Sequence, residues 1–375
     1  MISPSPSLPS RIVTRIPGKL FIAGEYAILK PGQSAILTAV NQYLSCHIHK
    51  QTQEFLELTT DIAHLSLLRF PNKQIFDNTH EQTHPDWLPA LCAIKVAYHW
   101  LEEHDYTIRP MAINLQSELQ ATHGKKYGLG SSGAVIVAIV LAILKFHNYP
   151  INSHTLLFKL SVIASIQSGS NGSMADIATI SHGEWIYYQN FDHAWLHQKL
   201  TTSNLKSIVN SEWPLLVIRS LPIATDWLIM IGWTGKPAST QSLVKQLNTK
   251  TASQPQAYLE FQEQVAVHVQ QIYQAILNKD FDNFTYHIHA NHKALRRLGQ
   301  HYDLPIETPL LHALVTACQQ LNWPAKLSGA GGGDCGICFM SQSDYTSTQE
   351  IEQAWQSHGI LPLPFTTAPK IHLST

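Results

Sequence analysis

The residues of this chain that are best suited to chemistry form a glycine- and serine-rich segment, GKKYGLGSSG, at positions 124–133. Eleven apolar residues follow it without interruption, at 134–144, and predict a buried helix that begins directly after the glycines. The first N–H groups of a helix lack acceptors within it, and the helix dipole adds partial positive charge there. With Lys125 and Lys126 close by, this segment predicts a binding site for a chain of phosphates.

The stretch of sequence around this predicted phosphate site contains no carboxylates. No Asp or Glu occurs between Glu118 and Asp176, and Asp176 lies in a second loop of small residues, SGSNGSMAD, at 168–176. A positive cradle with one isolated acid is typical of a phosphoryl-transfer site, because that reaction depends mainly on positioning and on stabilising charge.

Two further segments contain residues suited to a polar ligand. Three consecutive glycines in SGAGGGD, at 328–334, favour a loop whose backbone approaches a ligand closely, and a flexible turn is the alternative. In PGKLFIAGEY, at 17–26, Lys19 and Glu25 flank an apolar run that predicts a strand. Taken alone, that segment would be a surface strand.

Other interpretations of the first glycine loop fail on neighbouring residues. The string at 128–133 matches GxGxxG, but a dinucleotide site needs an acidic residue about 20 positions later, and none is present. The P-loop pattern GxxxxGK[ST] and the HRD and DFG motifs of protein kinases are also missing. What remains is a loop that begins a helix, with Ser131 or Ser132 as the expected N-cap.

Metal and redox sites have weaker support. Five cysteines are an odd number, so reduced thiols are expected, and Cys335 and Cys338 lack the second pair that a zinc site needs. His287, His289 and His292 are spaced by two and three residues, so a helix does not place all three on one face.

Composition limits the partners. The net charge is −1, whereas nucleic-acid binders usually have a basic surplus. No apolar run reaches the about 20 residues that span a bilayer, and the N-terminal MISPSPSLPS lacks the apolar core of a secretory signal. We therefore expect a cytoplasmic protein, a monomer or homodimer, that binds neither nucleic acid nor membrane.

The apolar pattern predicts a mixed α/β protein. Strands are expected at 19–23, 35–40, 44–48, 111–115, 184–188, 227–233 and 325–327, and another from Cys335. Helices are expected at 86–103, 134–145, 153–165, 258–277 and 280–298, and one after the capping pair Thr308 and Pro309.

Three strings resemble the three motifs of the GHMP small-molecule kinases in order and spacing. They are PGKLFIAGEYAIL at 17–29, GLGSSGAV at 128–135 and KLSGAGGGDCGI at 326–337. Within that superfamily the chain is most similar to the bacterial-type phosphomevalonate kinases, on the strings AGEYAILKPGQ, GKKYGLGSSG, NGSMADIA, GWTGKPAST and SGAGGGDCGI. A GHMP mevalonate kinase, another GHMP small-molecule kinase, and a non-catalytic regulator with the same fold are the alternatives.

The resemblance implies an α/β, two-domain GHMP kinase fold. Residues 11–194 would form an N-terminal domain like domain 2 of ribosomal protein S5, which binds ATP. Residues 195–375 would form a ferredoxin-like C-terminal domain. The implied reactants are ATP, Mg²⁺ and (R)-5-phosphomevalonate, and the implied product is the 5-diphosphate, on the mevalonate pathway of isoprenoid synthesis.

The resemblance also assigns roles to residues. The implied catalytic residues are Lys19, Lys126 and Asp176. The implied nucleotide-binding residues are Lys125, Gly128, Leu129, Gly130, Ser131, Ser132 and Gly133, and Ser132 (or Ser131) would lie near the metal. The implied acceptor-binding residues are Ala23, Tyr26, Ser173, Ser239, Ser328 and Gly329. The sequence departs from some relatives before NGSM, where Gln and Ser replace a basic residue.

Overall fold

Two β-sheets organise the chain in this computed structural model, which describes residues 8–62, 65, 67–77, 83–121, 124–222, 227–341 and 347–374. The first sheet contains β1 (Arg11–Ala23), β2 (Ser34–Lys50), β3 (Phe55–Thr60), β4 (Leu68–Pro71), β5 (Met111–Ser117), β6 (Trp185–Gln189) and β7 (Val217–Leu221). Its order is β4-β3-β5-β2-β6-β7, and β1 pairs with β2 outside this path. The β3–β5 pair is parallel, and the other pairs are antiparallel.

The long strand β2 is the main difference from the predicted elements. We expected two strands, at 35–40 and 44–48, because Asn41 and Gln42 interrupt the apolar pattern. The structure has one strand instead, in which Gly18 pairs with Val40 and Pro17 pairs with Tyr43. A bulge therefore takes up the two polar residues and lets the strand continue.

The helices of the first half form a layer against this sheet. They are α1 (Leu88–Glu102), α2 (Ser131–Phe146), α3 (His154–Gln167), α4 (Ala175–His182), α5 (His193–Thr202) and α6 (Leu205–Asn210). Helix α2 is apolar on every side, and it is buried between α1, α3 and strands β1 and β2. This burial fixes the start of α2, and with it the first glycine loop, against β1.

The second half builds a four-stranded antiparallel sheet with the order β11-β8-β10-β9. In chain order, the strands and helices of this half are β8 (Trp227–Trp233), α7 (Thr240–Ser253), α8 (Gln256–Asn278), α9 (Phe281–His301), α10 (Pro309–Gln320), β9 (Ala325–Leu327), β10 (Cys335–Ser341), α11 (Ser347–Ser357) and β11 (Leu361–Leu363). If the four helices α7 to α10 are counted as one helical connection, the succession is β-α-β-β-α-β. With this strand order it is ferredoxin-like, as expected. The predicted cap of α10 is also confirmed, since the Thr308 side chain accepts a hydrogen bond from Leu311 N at 3.3 Å.

The first sheet extends beyond the boundary expected at residue 194. Strand β7 pairs with β6, so the sheet continues to Leu221. The C-terminal segment also returns to this sheet, where Ala368 N donates to Ala39 O at 2.9 Å. All five cysteines are buried, and none of them forms a disulfide bond. None of the helices in the described part of the chain combines the length and the apolar character that crossing a bilayer requires.

Candidate active site

Strand β1 brings Lys19 to the first glycine loop. The backbone N–H of Lys19 donates to Leu129 O at 3.0 Å, and its ammonium Nζ donates to Gly128 O at 3.1 Å. The Lys19 side chain is half-buried, and its Nζ lies 5.6 Å from the centre of the Phe21 ring. One residue of β1 therefore fixes the loop through both its backbone and its side chain.

Gly130 is the N-cap of α2, and it corrects the expectation that Ser131 or Ser132 would be. Its φ is +82°, a left-handed conformation that favours glycine, and no side chain caps the helix. Both serines lie in the first helical turn instead. Within the described residues no acceptor is found for the backbone N–H groups of 131–133, so these donors are available to a ligand.

Asp176 lies beside the same glycine loop. A Cβ added to Gly130 would be 3.8 Å from Asp176 Cβ and 3.2 Å from Lys19 Cε, while one added to Gly133 would be 3.3 Å from Asp176 Oδ2. Asp176 is in the first turn of α4, where its Oδ1 accepts a hydrogen bond from Ile177 N at 2.9 Å. The structure thus brings Lys19 and Asp176 together at the start of α2.

A buried tyrosine supports the loop that carries Asp176. The Tyr188 hydroxyl donates to Ser173 O at 2.7 Å. Burial, and then the negative charge of Asp176, raise the pKa of Tyr188 well above its ordinary value, so it remains a neutral donor. This contact holds the residues just before Asp176 in place.

The second glycine loop is attached to β1 and the residues after it by four hydrogen bonds. Ser328 Oγ accepts from Phe21 N at 2.9 Å and donates to Phe21 O at 3.0 Å. Gly329 N donates to Glu25 Oε1 at 3.3 Å, and the Tyr26 hydroxyl donates to Ala330 O at 2.5 Å. The loop therefore has a fixed position relative to Lys19.

A buried ion pair completes this attachment. Glu25 and Lys326 contact each other with almost no exposed surface, and Lys326 Nζ also donates to Leu327 O at 2.7 Å. Burial lowers the pKa of Lys326, and the negative charge of Glu25 opposes that shift. The sequence placed Glu25 at the end of a surface strand, and this interpretation was wrong. A charged residue inside each of two apolar stretches was a signal that Glu25 and Lys326 are buried, but it does not show that they pair with each other.

The predicted acceptor-binding residues differ in which of their atoms are exposed to a ligand. Ala23 is fully buried, the Ser328 hydroxyl is bound to Phe21, and the Tyr26 side chain is buried. Ser239 is exposed, although its hydroxyl caps α7 by accepting from Ser242 N at 3.3 Å. Gly329 has a φ of +91° and no atom within 4 Å of an added Cβ, so open space adjoins its backbone.

Lys125 and Lys126 remain in solvent. Both side chains are exposed, and neither has an ion-pair partner among the residues that the structure describes. Their backbones pair with residues 120 and 121, since Ala121 N donates to Lys125 O at 2.8 Å and Lys126 bridges to Gln120. No ion pair joins either ammonium group to Asp176 in the described part of the chain.

Two of the three clustered histidines have separate partners. His287 Nδ1 lies 3.1 Å from His268 Nδ1, whereas His292 Nε2 lies 3.0 Å from Glu307 Oε1. No group of three or more His, Cys, Asp or Glu side chains that could hold a metal occurs in the described ranges. Arg296 Nε also forms an ion pair with Glu307 Oε2 at 2.7 Å, next to Ile306, whose carbonyl accepts from Gly332 N of the second glycine loop.

Known protein families match the two parts of the chain that contain the two glycine loops. Residues 92–184, which include the first glycine loop and Asp176, match the N-terminal domain of the GHMP kinases, and residues 272–361 match their C-terminal domain. A phosphomevalonate kinase of a Streptomyces strain is 31% identical over 95% of this chain and 97% of its own. The chain belongs to the GHMP kinases. The two-domain α/β fold that the sequence resemblance implied is confirmed.

Solved structures agree with this assignment. This GHMP kinase is similar to Streptococcus pneumoniae phosphomevalonate kinase in complex with phosphomevalonate and AMPPNP, with 29% identity, 95% and 99% of the two chains covered, and a TM-score of 0.83. It is also similar to a Listeria innocua protein, with 32% identity, 96% and 98% coverage, and a TM-score of 0.89. A Methanococcus jannaschii mevalonate kinase structure is 19% identical with a TM-score of 0.71, over 96% and 99% of the chains, and thus shares the fold.

Proposed function

We propose that this protein transfers the γ-phosphoryl group of ATP to (R)-5-phosphomevalonate, giving (R)-5-diphosphomevalonate and ADP in the mevalonate pathway. The observation that carries the proposal is the convergence of Lys19, Asp176 and the uncapped start of α2 around Gly130. This arrangement lies in a chain that aligns over nearly its full length with a phosphomevalonate kinase.

The first glycine loop fits the phosphate chain of a nucleotide. The unpaired N–H groups at 131–133 and the dipole of α2 attract negative charge, and the left-handed Gly130 has no side chain to block the approach. We assign nucleotide binding to the predicted set of Lys125, Gly128, Leu129, Gly130, Ser131, Ser132 and Gly133. Lys125 would contribute as an exposed charge at the edge of this loop.

The residues also fit Mg²⁺ held jointly by protein and nucleotide. Magnesium usually binds one or two carboxylates together with phosphate oxygens and waters, and it does not require an all-protein cage. Asp176 supplies one carboxylate, and the Ser132 hydroxyl is exposed, with no hydrogen-bond partner among the described residues. We propose these two as the protein ligands; when bound, the ion would neutralise charge on the phosphates.

The acceptor determines what Asp176 has to do. A phosphate monoester has a second pKa of about 6, so its attacking oxygen is already ionised near neutral pH. Such a nucleophile needs no general base, unlike the hydroxyl group of mevalonate. We therefore assign Asp176 to orienting Lys19 and balancing its charge. Lys19 and Lys126 would shield the two anions as they approach each other.

The acceptor site would lie between the two glycine loops. Ser173, Ser239 and the backbone of Gly329 have surface to offer a ligand. Ser328 and Tyr26 would act mainly by fixing the loop, since their hydroxyls are already bonded to the backbone. Ala23 would contribute only backbone atoms, because its side chain is fully buried.

A parallel assay tests the proposal. Purified protein with MgATP is given either phosphomevalonate or mevalonate, ADP release is followed by a coupled reaction, and the product is identified by ³¹P NMR. We expect rapid turnover of phosphomevalonate and far slower turnover of mevalonate. Robust turnover of mevalonate alone would make this protein a mevalonate kinase, and binding without turnover of either compound would favour the regulator.

A further inference from the structure

Asp334, the last residue of the second glycine loop, packs its carboxylate directly on the first. A Cβ added to Gly128 would lie 2.3 Å from Asp334 Cγ and 2.4 Å from its Oδ2, so the carboxylate covers the Cα of Gly128. The other oxygen, Oδ1, accepts a hydrogen bond from Ala238 N at 3.1 Å. The side chain therefore joins the first glycine loop to the segment that follows β8.

The backbone of Asp334 is bound to that same segment. Its N–H donates to Lys236 O at 2.8 Å, and its carbonyl accepts from both Thr234 N and Thr234 Oγ1 at 3.0 Å. Ser239, a predicted acceptor-binding residue, comes directly after Ala238. Asp334 thus connects the nucleotide side of the site with a segment that leads to the acceptor side.

The positive charge of Lys19 also acts on the carboxylate of Asp334. Burial raises the pKa of Asp334, and the Ala238 N–H and the positive charge of Lys19 oppose that shift. The Lys19 ammonium donates to the carbonyl of Gly128, the residue that Asp334 covers. A carboxylate at this position attracts the lysine and packs on the residue whose carbonyl the lysine binds.

The backbone conformation of Asp334 is one that few side chains adopt. Asp334 has a φ of +54°, in the left-handed region, and it follows three glycines that adopt positive φ values. Glycine would adopt this conformation with less strain, and aspartate is among the few other residues that tolerate it.

We propose that Asp334 is a positioning residue for phosphoryl transfer, which fixes the first glycine loop against the 234–238 segment and holds Lys19 at Gly128. This inference rests on the proposed kinase function, although not on the identity of the acceptor. It assigns a role to the one acidic residue of the second glycine loop.

Two substitutions separate the charge from the hydrogen bond. Asp334→Asn keeps an oxygen that can accept from Ala238 N and removes the charge. Asp334→Gly removes both and relieves the left-handed strain. Asn322→Gly is the matched control, because Asn322 also has a positive φ (+63°) and is exposed in the turn after α10.

For each variant we would measure kcat, the KM of both substrates, the affinity for Mg-AMPPNP by calorimetry, and Tm. Because a misplacement of 1 Å can cost about 100-fold in rate, we expect kcat to fall about 100-fold in Asp334→Gly and about 10-fold in Asp334→Asn. Tm and Mg-AMPPNP affinity should stay near wild type, as should every property of Asn322→Gly.

Two results would overturn the inference. Wild-type kcat in Asp334→Gly would make Asp334 a turn residue, and equal losses of kcat, Tm and nucleotide affinity would make its role structural. All rates are compared with wild type on whichever acceptor wild type uses. If that acceptor is mevalonate, the proposed substrate is wrong while the test of Asp334 still stands.

Discussion

Adding a single methyl group at Gly130 tests whether the position of Lys19 controls the rate. Gly130→Ala keeps the helix start but puts a Cβ 3.2 Å from both Cγ and Cε of Lys19, closer than carbon atoms normally approach. The lysine side chain must therefore move by a few tenths of an ångström. If a misplacement of 1 Å costs about 100-fold in rate, this movement should lower kcat by about 4- to 10-fold.

The same substitution also strains the backbone, and a control must separate the two effects. A residue other than glycine in the left-handed region costs about 1–2 kcal/mol, and Gly130 has a φ of +82°. Gly359 is the matched control, because it has a φ of +76° and no atom within 4 Å of an added Cβ. Gly359→Ala should lose as much stability as Gly130→Ala in urea denaturation and keep the wild-type rate.

Steady-state kinetics on both variants, with Tm measured in parallel, give the result. A lower kcat in Gly130→Ala alone supports the placement of Lys19 at the centre of the reaction. If both variants keep wild-type kcat while losing equal stability, the contact between Gly130 and Lys19 has no part in the chemistry and our account of the site is wrong.

Three further predictions concern charged residues. Lys126→Met should lower kcat by about 100-fold or more and change nucleotide affinity much less, since its charge matters most as the phosphoryl group moves; equal losses would contradict this role. Asp176→Asn should lower the rate without changing the shape of the pH–rate profile; loss of an acidic limb in this variant alone would identify a general base. Glu25→Gln should cost about 3–5 kcal/mol in urea denaturation, because it leaves Lys326 charged and buried, and adding Lys326→Met should recover part of that loss. No recovery in the double variant would contradict this explanation.

The sequence predicted most elements because their apolar patterns are regular. Strands β8 and β9 have the bounds that we expected, and α2 begins at the glycine loop. Strand β2 was split in the prediction, because its polar bulge at Asn41 and Gln42 looks like a turn in the sequence. The boundary expected at 194 stays a prediction, and apolar periodicity does not reveal that β7, which follows it, pairs with β6.

Less of the site than of the fold could be predicted from the sequence. The residue types alone indicated a phosphate-binding helix start and one isolated acid. That Lys19 belongs to the same site came only from the family resemblance. The Glu25–Lys326 pair joins residues that are 301 positions apart, so no local pattern could reveal it. Asp334 was visible only as the end of a glycine-rich string, since its contacts with Gly128 and Ala238 depend on how the two halves meet.

The contacts of β1 explain how one fold could serve acceptors of different chemistry. Lys19 N binds the first glycine loop, and both backbone groups of Phe21 bind Ser328 in the second, so this strand fixes the two loops relative to each other. These contacts are made largely by backbone atoms and do not depend on the acceptor. Discrimination between a phosphate and a hydroxyl must then come from side chains outside them, and the exposed Ser239 and half-buried Ser173 are the first to test.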